Sequence, residues 1–304
     1  MEKILYGKPV ANLINAASRS LISQYNQSPK MLLIQVGSDP ASAYYVKSII
    51  NSGKKLGCET ELISLPADTP EDDLLILIGE GNDNPDIHGI MIQKPLPSHI
   101  SENKVNLAIS PYKDIDCIHP INLGKLAMEM DTFLPCTPAA VYMMMHYYSI
   151  DPLSKNVVII GRSNVVGKPM ANILLWKKKF ANATVTVCHS RTSNLPSVTS
   201  SADIIIAAIG KANFVNSSMI KEGCILLDVG INEIVDSDNK QVYVGDIDYN
   251  DCFDKALAIT PVPGGVGTVT TSILYLNLIK ACLDSAGCNK TVDEYIALIF
   301  DANL

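Results

Sequence analysis

No two cysteines in this chain stand as a C-x-x-C pair. The 8 cysteines are scattered, which excludes zinc ribbons and dithiol redox centres. Positive charge is in short supply as well. The formal net charge is -7, so bulk attraction to nucleic acid or to an anionic membrane surface is excluded, though a local basic pocket is not. No apolar run approaches the ~20 residues of a membrane span. The first residues, Met1 to Gly7, lack the long apolar core and small-residue cleavage site of a secretory signal. A cytoplasmic location with reduced thiols is therefore expected. There is no internal repeat, no low-complexity segment and no spacing that suggests a metal site.

What is present is an apolar chain long enough for one large domain or two of ordinary size. Hydrophobic residues make up 47% of 304, so a sizeable core is available. Short β-branched runs alternate with helical stretches. Strands are expected over 31–36, 61–65 and 87–92, then over 157–160, 184–187, 204–207 and 225–228. Helices are expected from about 41 to 56, from Pro70 to about 79, after Pro138 and from about 271 to 283. Met143 to Met145 read as core filler. The alternation predicts an α/β fold with parallel sheets covered on both faces.

Two glycine-bearing segments carry chemistry. Thr260-Pro261-Val262-Pro263-Gly264-Gly265-Val266-Gly267 follows an apolar run. It reads either as a tight strand-to-helix turn or as backbone that closely approaches a ligand. Val158-Ile159-Ile160-Gly161-Arg162-Ser163 reads as a buried strand, a glycine turn and the start of a helix, the arrangement that offers backbone N–H groups to phosphate. Position 163 is serine, so the usual G-x-G-x-x-G spacing is absent. The next strand ends Cys188-His189-Ser190-Arg191-Thr192. An acid there would bind a ribose 2′-OH. Ser190 and Arg191, together with Arg162, suit a 2′-phosphate instead and favour NADP over NAD. The alternative for Arg191 is simple solvation.

With Gln93-Lys94-Pro95-Leu96-Pro97, Lys113-Asp114-Ile115-Asp116 and Pro135-Cys136-Thr137-Pro138, these segments resemble the methylenetetrahydrofolate dehydrogenase/cyclohydrolase family along nearly the whole chain. The resemblance implies a folate/catalytic domain over 1–140, completed by a C-terminal helix of about 271–304. It implies a Rossmann-like NADP domain over 141–270, an active site in the interdomain cleft, tetrahydrofolate derivatives as substrates and a homodimer. It carries over Gly161, Arg162, Ser163, Ser190 and Ile231 to the cofactor site, joined by Arg191. Tyr45, Gln93, Pro95, Asp116, Pro263 and Gly264 fall to the folate site. Tyr45 stacks on the folate ring in this expectation, and Asp116 accepts hydrogen bonds from the pterin. Asp114 and His119 are expected to be structural.

Three positions depart from the family pattern. The family lysine four residues after Tyr45 is Ile49 here, and this lysine is associated with the hydrolytic reaction. An apolar residue of the Gln-Leu-Pro-Leu-Pro motif is Lys94, which either returns an ammonium to the vacated place or points to water. The glycine after Asp116 is Cys117. The expected function is oxidation of methylenetetrahydrofolate with NADP, with hydrolysis of the methenyl product in question. The rivals are a dehydrogenase without hydrolase activity, a degraded folate-binding paralogue and a shikimate-type dehydrogenase.

Overall fold

A computed structural model describes residues 2–37, 40–235 and 240–300, with the side chains of 40–44 excepted. Ser38, Asp39 and Tyr44 of the segment leading to Tyr45 thus lie outside the described residues or side chains. The chain separates into two compact units, and both are discontinuous in sequence. Leu13–Leu134 joins Thr271–Leu304 in one; Met1–Asn12 joins Pro135–Thr270 in the other.

The chain opens with α1 (Gly7–Tyr25), which runs from one unit into the other. The three-stranded unit follows with β1 (Lys30–Val36), α2 (Pro40–Leu56), β2 (Glu59–Leu65), α3 (Glu71–Asp83) and β3 (Gly89–Ile92). Two short helices, α4 (Glu102–Ala108) and α5 (Pro120–Ala127), come next. The strands pair in parallel in the order β2-β1-β3. Central β1 is almost wholly buried, Met31 to Val36, and β3 is buried throughout. That is why β3 reads as an unbroken apolar run, and β1 as one interrupted only by Gln35, rather than as alternating strands. Leu32, Ile34, Leu74, Ile78 and Ile90 share one core cluster.

The five-stranded unit takes up α6 (Cys136–Tyr147), β4 (Asn156–Ile160), α7 (Gly167–Leu174), β5 (Thr184–Cys188), α8 (Leu195–Thr199) and β6 (Ile204–Ala207). It continues with β7 (Ile225–Asp228), a hairpin of β8 (Asn232–Val235) and β9 (Gln241–Val244), α9 (Tyr249–Phe253) and the short β10 (Ala258–Ile259). Its sheet is parallel in the order β10-β7-β6-β4-β5. The chain thus leaves β4 for one edge and then returns to its other side. Such a reversal opens a crevice at the carboxyl ends of the strands. The last helices are α10 (Gly267–Ser285), shared between the units, and α11 (Val292–Phe300).

Three details differ from the division expected from sequence. Met1–Asn12 belongs with the five-stranded unit. The reason is backbone pairing: Leu5 N donates to Ile259 O at 2.9 Å, and Ile259 N donates to Lys3 O at 2.9 Å. Helix α6 lies wholly in that unit too, whose second segment starts at Pro135. The expected C-terminal helix of about 271–304 is two helices, parted at Gly287, where φ is +85°. Residues 301–304 lie outside the described residues.

Candidate functional site

On the three-stranded unit, Gln93 directly follows β3. Its N–H continues the sheet by donating to Ile34 O at 2.8 Å, and its side-chain Nε2 donates to Lys94 O at 2.7 Å. Its Oε1 is buried and has no protein partner among the described residues. A buried amide oxygen without a donor is costly unless a ligand supplies one. The next residue, Lys94, is paired through Nζ with Glu102 Oε2 at 2.9 Å. Glu102 sits in the first turn of α4, where a helix N-terminus favours an anion. Pro95 is exposed, and the Lys94–Pro95 peptide is cis.

The segment bearing Asp116 runs beside β3, with Ile90 N donating to Lys113 O at 2.8 Å. Asp114 anchors it. This fully buried carboxylate accepts from Ile118 N at 3.0 Å, His119 N at 2.8 Å and Asn122 Nδ2 at 2.8 Å. Burial pushes it up to about 7 despite those donors. His119 caps α5, its ring accepting from Ile121 N. Asp114 and His119 therefore have the structural roles expected of them, and the turn they hold leaves Asp116 half-buried. Cys117 completes the turn with φ +55°.

Tyr45 is half-buried on α2. One turn on, Ile49 is fully buried, and its carbonyl accepts from Tyr275 Oη at 2.8 Å. Lys47 is exposed.

On the five-stranded unit, Gly161 ends β4 with φ +131°. A side chain there would strike the carbonyl oxygen of Ala208, just past β6. Gly161 thus stands where the order of strands reverses. Ser163 Oγ accepts from Val166 N at 3.0 Å and helps turn the chain into α7. Arg162, Ser163, Ser190 and Arg191 are all exposed. The turn after β5 is closed by Thr192 N donating to His189 O at 2.8 Å, and 188–192 contains no carboxylate. Exposed guanidiniums at this edge, with no acid, fit a 2′-phosphate. Ile231 is 61% exposed beyond β7. Pro263 is exposed and Gly264 has φ +107°, its carbonyl accepting from Gly7 N at 2.8 Å.

The cofactor candidates thus gather at one sheet edge of the five-stranded unit, which also holds Pro263 and Gly264. Tyr45, Gln93, Lys94, Pro95 and Asp116 belong to the three-stranded unit. Sequence reasoning missed Asp246, which is fully buried at the end of the hairpin and accepts from the N–H groups of 209–211. The available signal was Gly245-Asp246 directly after an alternating strand. Among the described residues, no three His, Cys, Asp or Glu side chains form a group able to hold a metal ion, and no helix is long and apolar enough to cross a membrane.

These features define a two-unit α/β protein with a dinucleotide-type crevice on one unit. Residues 5–116 match the tetrahydrofolate dehydrogenase/cyclohydrolase catalytic domain, and 135–286 match the NAD(P)-binding domain of the same family. The chain belongs to the tetrahydrofolate dehydrogenase/cyclohydrolase family. It is 46% identical over 286 residues to the bifunctional protein FolD of Chloroherpeton thalassium, covering 91% of this chain and 97% of that one. It is also similar to the crystal structure of bifunctional FolD from Campylobacter jejuni, at 38% identity and TM-score 0.87, over 93% and 99% of the two chains. The Trypanosoma brucei FolD structure, complexed with NADP cofactor and inhibitor, is 30% identical with TM-score 0.87, over 94% and 99%.

Proposed function

We propose that the protein oxidises 5,10-methylenetetrahydrofolate to 5,10-methenyltetrahydrofolate with NADP and hydrolyses the product to 10-formyltetrahydrofolate. It does so as a cytoplasmic homodimer, in the one-carbon metabolism that feeds purine biosynthesis. The observation that carries the oxidative reading is the sheet edge with Gly161 at the strand reversal, exposed Arg162 and Arg191, and no carboxylate after β5.

Bound NADP supplies the hydride acceptor. Arg162, Ser190 and Arg191 hold its 2′-phosphate, and the turn at Gly161 and Ser163 offers backbone N–H groups to its other phosphates. Ile231, Pro263 and Gly264 line the site around the reacting ring. On the folate side Tyr45 stacks on the ring system, Asp116 accepts from the pterin N–H groups, and Gln93 Oε1 accepts from the substrate. Alignment is the main demand of the oxidation, which needs no protein base.

The test uses purified protein with methylenetetrahydrofolate and either NADP or NAD, following methenyl formation and methenyl decay separately. Arg162→Ala should raise the KM for NADP about tenfold or more and leave that for NAD nearly unchanged, since a hydrogen bond to a charged group contributes ~1.5–3 kcal/mol. Equal efficiency with both cofactors in the unmodified protein rejects the NADP preference. Asp116→Ala should abolish both reactions while NADP still binds.

A second reading, oxidation without catalysed hydrolysis, is favoured by Ile49, which is 0% exposed where the family pattern has lysine. Lys94 can replace that lysine only by leaving Glu102. Fast methenyl decay that disappears in Lys94→Leu assigns the hydrolysis to Lys94. Slow decay in the unmodified protein that Ile49→Lys accelerates supports the dehydrogenase-only reading.

A further inference from the structure

At the carboxyl edge of the five-stranded sheet, two buried carboxylates tie together the loops that follow β6, β7 and β9. Asp246 Oδ2 accepts from Ile209 N at 2.6 Å and Gly210 N at 3.0 Å. Its Oδ1 accepts from Lys211 N at 2.8 Å and Asn232 Nδ2 at 2.9 Å. Asp228 accepts from Gly230 N at 2.9 Å, Asp246 N at 3.0 Å and Ile247 N at 2.8 Å. Asp228 N meets the Thr260 hydroxyl at 2.7 Å, which links the set to the loop before Pro263. Asp246 is 0% exposed and Asp228 is 3% exposed. The packing leaves no slack. A side chain at Gly230 would collide with the Asp246 carboxylate, and one at Gly245 with that of Asp228.

Burying a charge is expensive. This chain buries two carboxyl groups among loops, and burial pushes Asp228 up to about 7. Those loops occupy a definite part of the crevice. The adenosine half of a dinucleotide lies toward the strand whose end reads the ribose, here β5, so the other half extends over β6 and β7. Three consecutive N–H groups drawn to one carboxylate fix which way the peptides of 209–211 face. Asn232, held by the same carboxylate, fixes the neighbour of exposed Ile231.

We propose that Asp246, supported by Asp228, is a positioning residue that sets the wall of the crevice for the nicotinamide half of the cofactor. This rests on the NADP reading above. The carboxylate itself stays covered and acts through the loops it holds.

The experiment measures the affinities of NADP and of adenosine 2′,5′-bisphosphate, which carries only the adenosine half. The proteins are the unmodified chain, Asp246→Asn and Asn232→Ala. The expected result for Asp246→Asn is NADP binding weakened at least tenfold, with adenosine 2′,5′-bisphosphate affinity within twofold of the unmodified protein. Asn232→Ala removes one donor and leaves the carboxylate in place. It should weaken NADP about threefold with the bisphosphate unchanged, and it carries the same test if Asp246→Asn does not fold. In the double variant the effects should fall short of additive, as expected for partners in one network. Parallel weakening of both ligands indicates a merely structural role and overturns the proposal, as does unchanged NADP affinity in both variants. An unmodified protein that binds neither ligand overturns the NADP reading itself, and the proposal with it.

Discussion

Cys117 has φ +55° and is 1% exposed. Left-handed backbone costs a non-glycine residue roughly 1–2 kcal/mol. Cys117→Gly removes that strain, but it also loses a small buried group and adds freedom to the unfolded chain, by about 1 kcal/mol each. The unfolding free energy measured in urea should change by no more than about 1 kcal/mol. Cys117→Val should lose at least about 2 kcal/mol, because a β-branched residue suits neither the φ nor the space. A few residues away, Asp114 is raised to about 7 by burial. Below about pH 7 the native state then holds a proton that the unfolded chain, with an aspartate near ~3.9, has released. The stability this group contributes is full below about pH 4 and is lost as pH rises through 7. Relative to Asp114→Asn, the unmodified protein should lose about 2 kcal/mol between pH 5.5 and 7.5. Parallel pH profiles for the two proteins would refute the assignment. The altered turn at position 117 was visible in the sequence. The placing of Lys94 was not, because a salt bridge to Glu102 depends on where α4 starts relative to β3.

Among the elements, α2 and α10 show how tightly the three-stranded unit is built. Gly53 on α2 faces Tyr275, whose hydroxyl bonds to Ile49 O at 2.8 Å and meets Thr60 Oγ1 at 3.1 Å. A Cβ at Gly53 would lie 2.8 Å from Tyr275 Cζ. The ring is fully buried and held at its tip, so it cannot swing away. Gly53→Ala should therefore destabilise by about 2 kcal/mol, overpacking outweighing the ~1 kcal/mol gain in helix propensity. Gly79 on α3 has nothing within 4 Å of its would-be Cβ. Gly79→Ala should stabilise by roughly 0.5–1 kcal/mol. Chemical denaturation of the pair checks both signs; a stabilised Gly53→Ala would contradict the packing. The elements legible in the sequence were those with runs rich in β-branched and aliphatic residues. β6 and β7 fall within the stretches expected, and β1, β4 and β5 differ by a single residue. The hairpin β8–β9 alternates between half-buried and exposed residues and offers no such run. The carboxylates beneath it were hidden for the same reason: hydrogen bonds from loop N–H groups leave no periodic trace.

For the whole molecule, strand–helix alternation made the α/β class legible. The division in two and the return of a C-terminal helix came only with the family resemblance, and the placing of the first residues was not legible. Placing Met1–Asn12 depends on a short backbone pairing with β10, which lies far along the sequence. That crossing of the chain has a consequence for its synthesis. Domains usually fold as they leave the ribosome, the first one ahead of the second. Here the opening residues must wait for Ile259 to emerge, and the strands of the three-stranded unit must wait for α10. Neither unit can be released whole by cutting the gene at a single point, and a ribosome stalled before residue 259 would carry two unfinished cores.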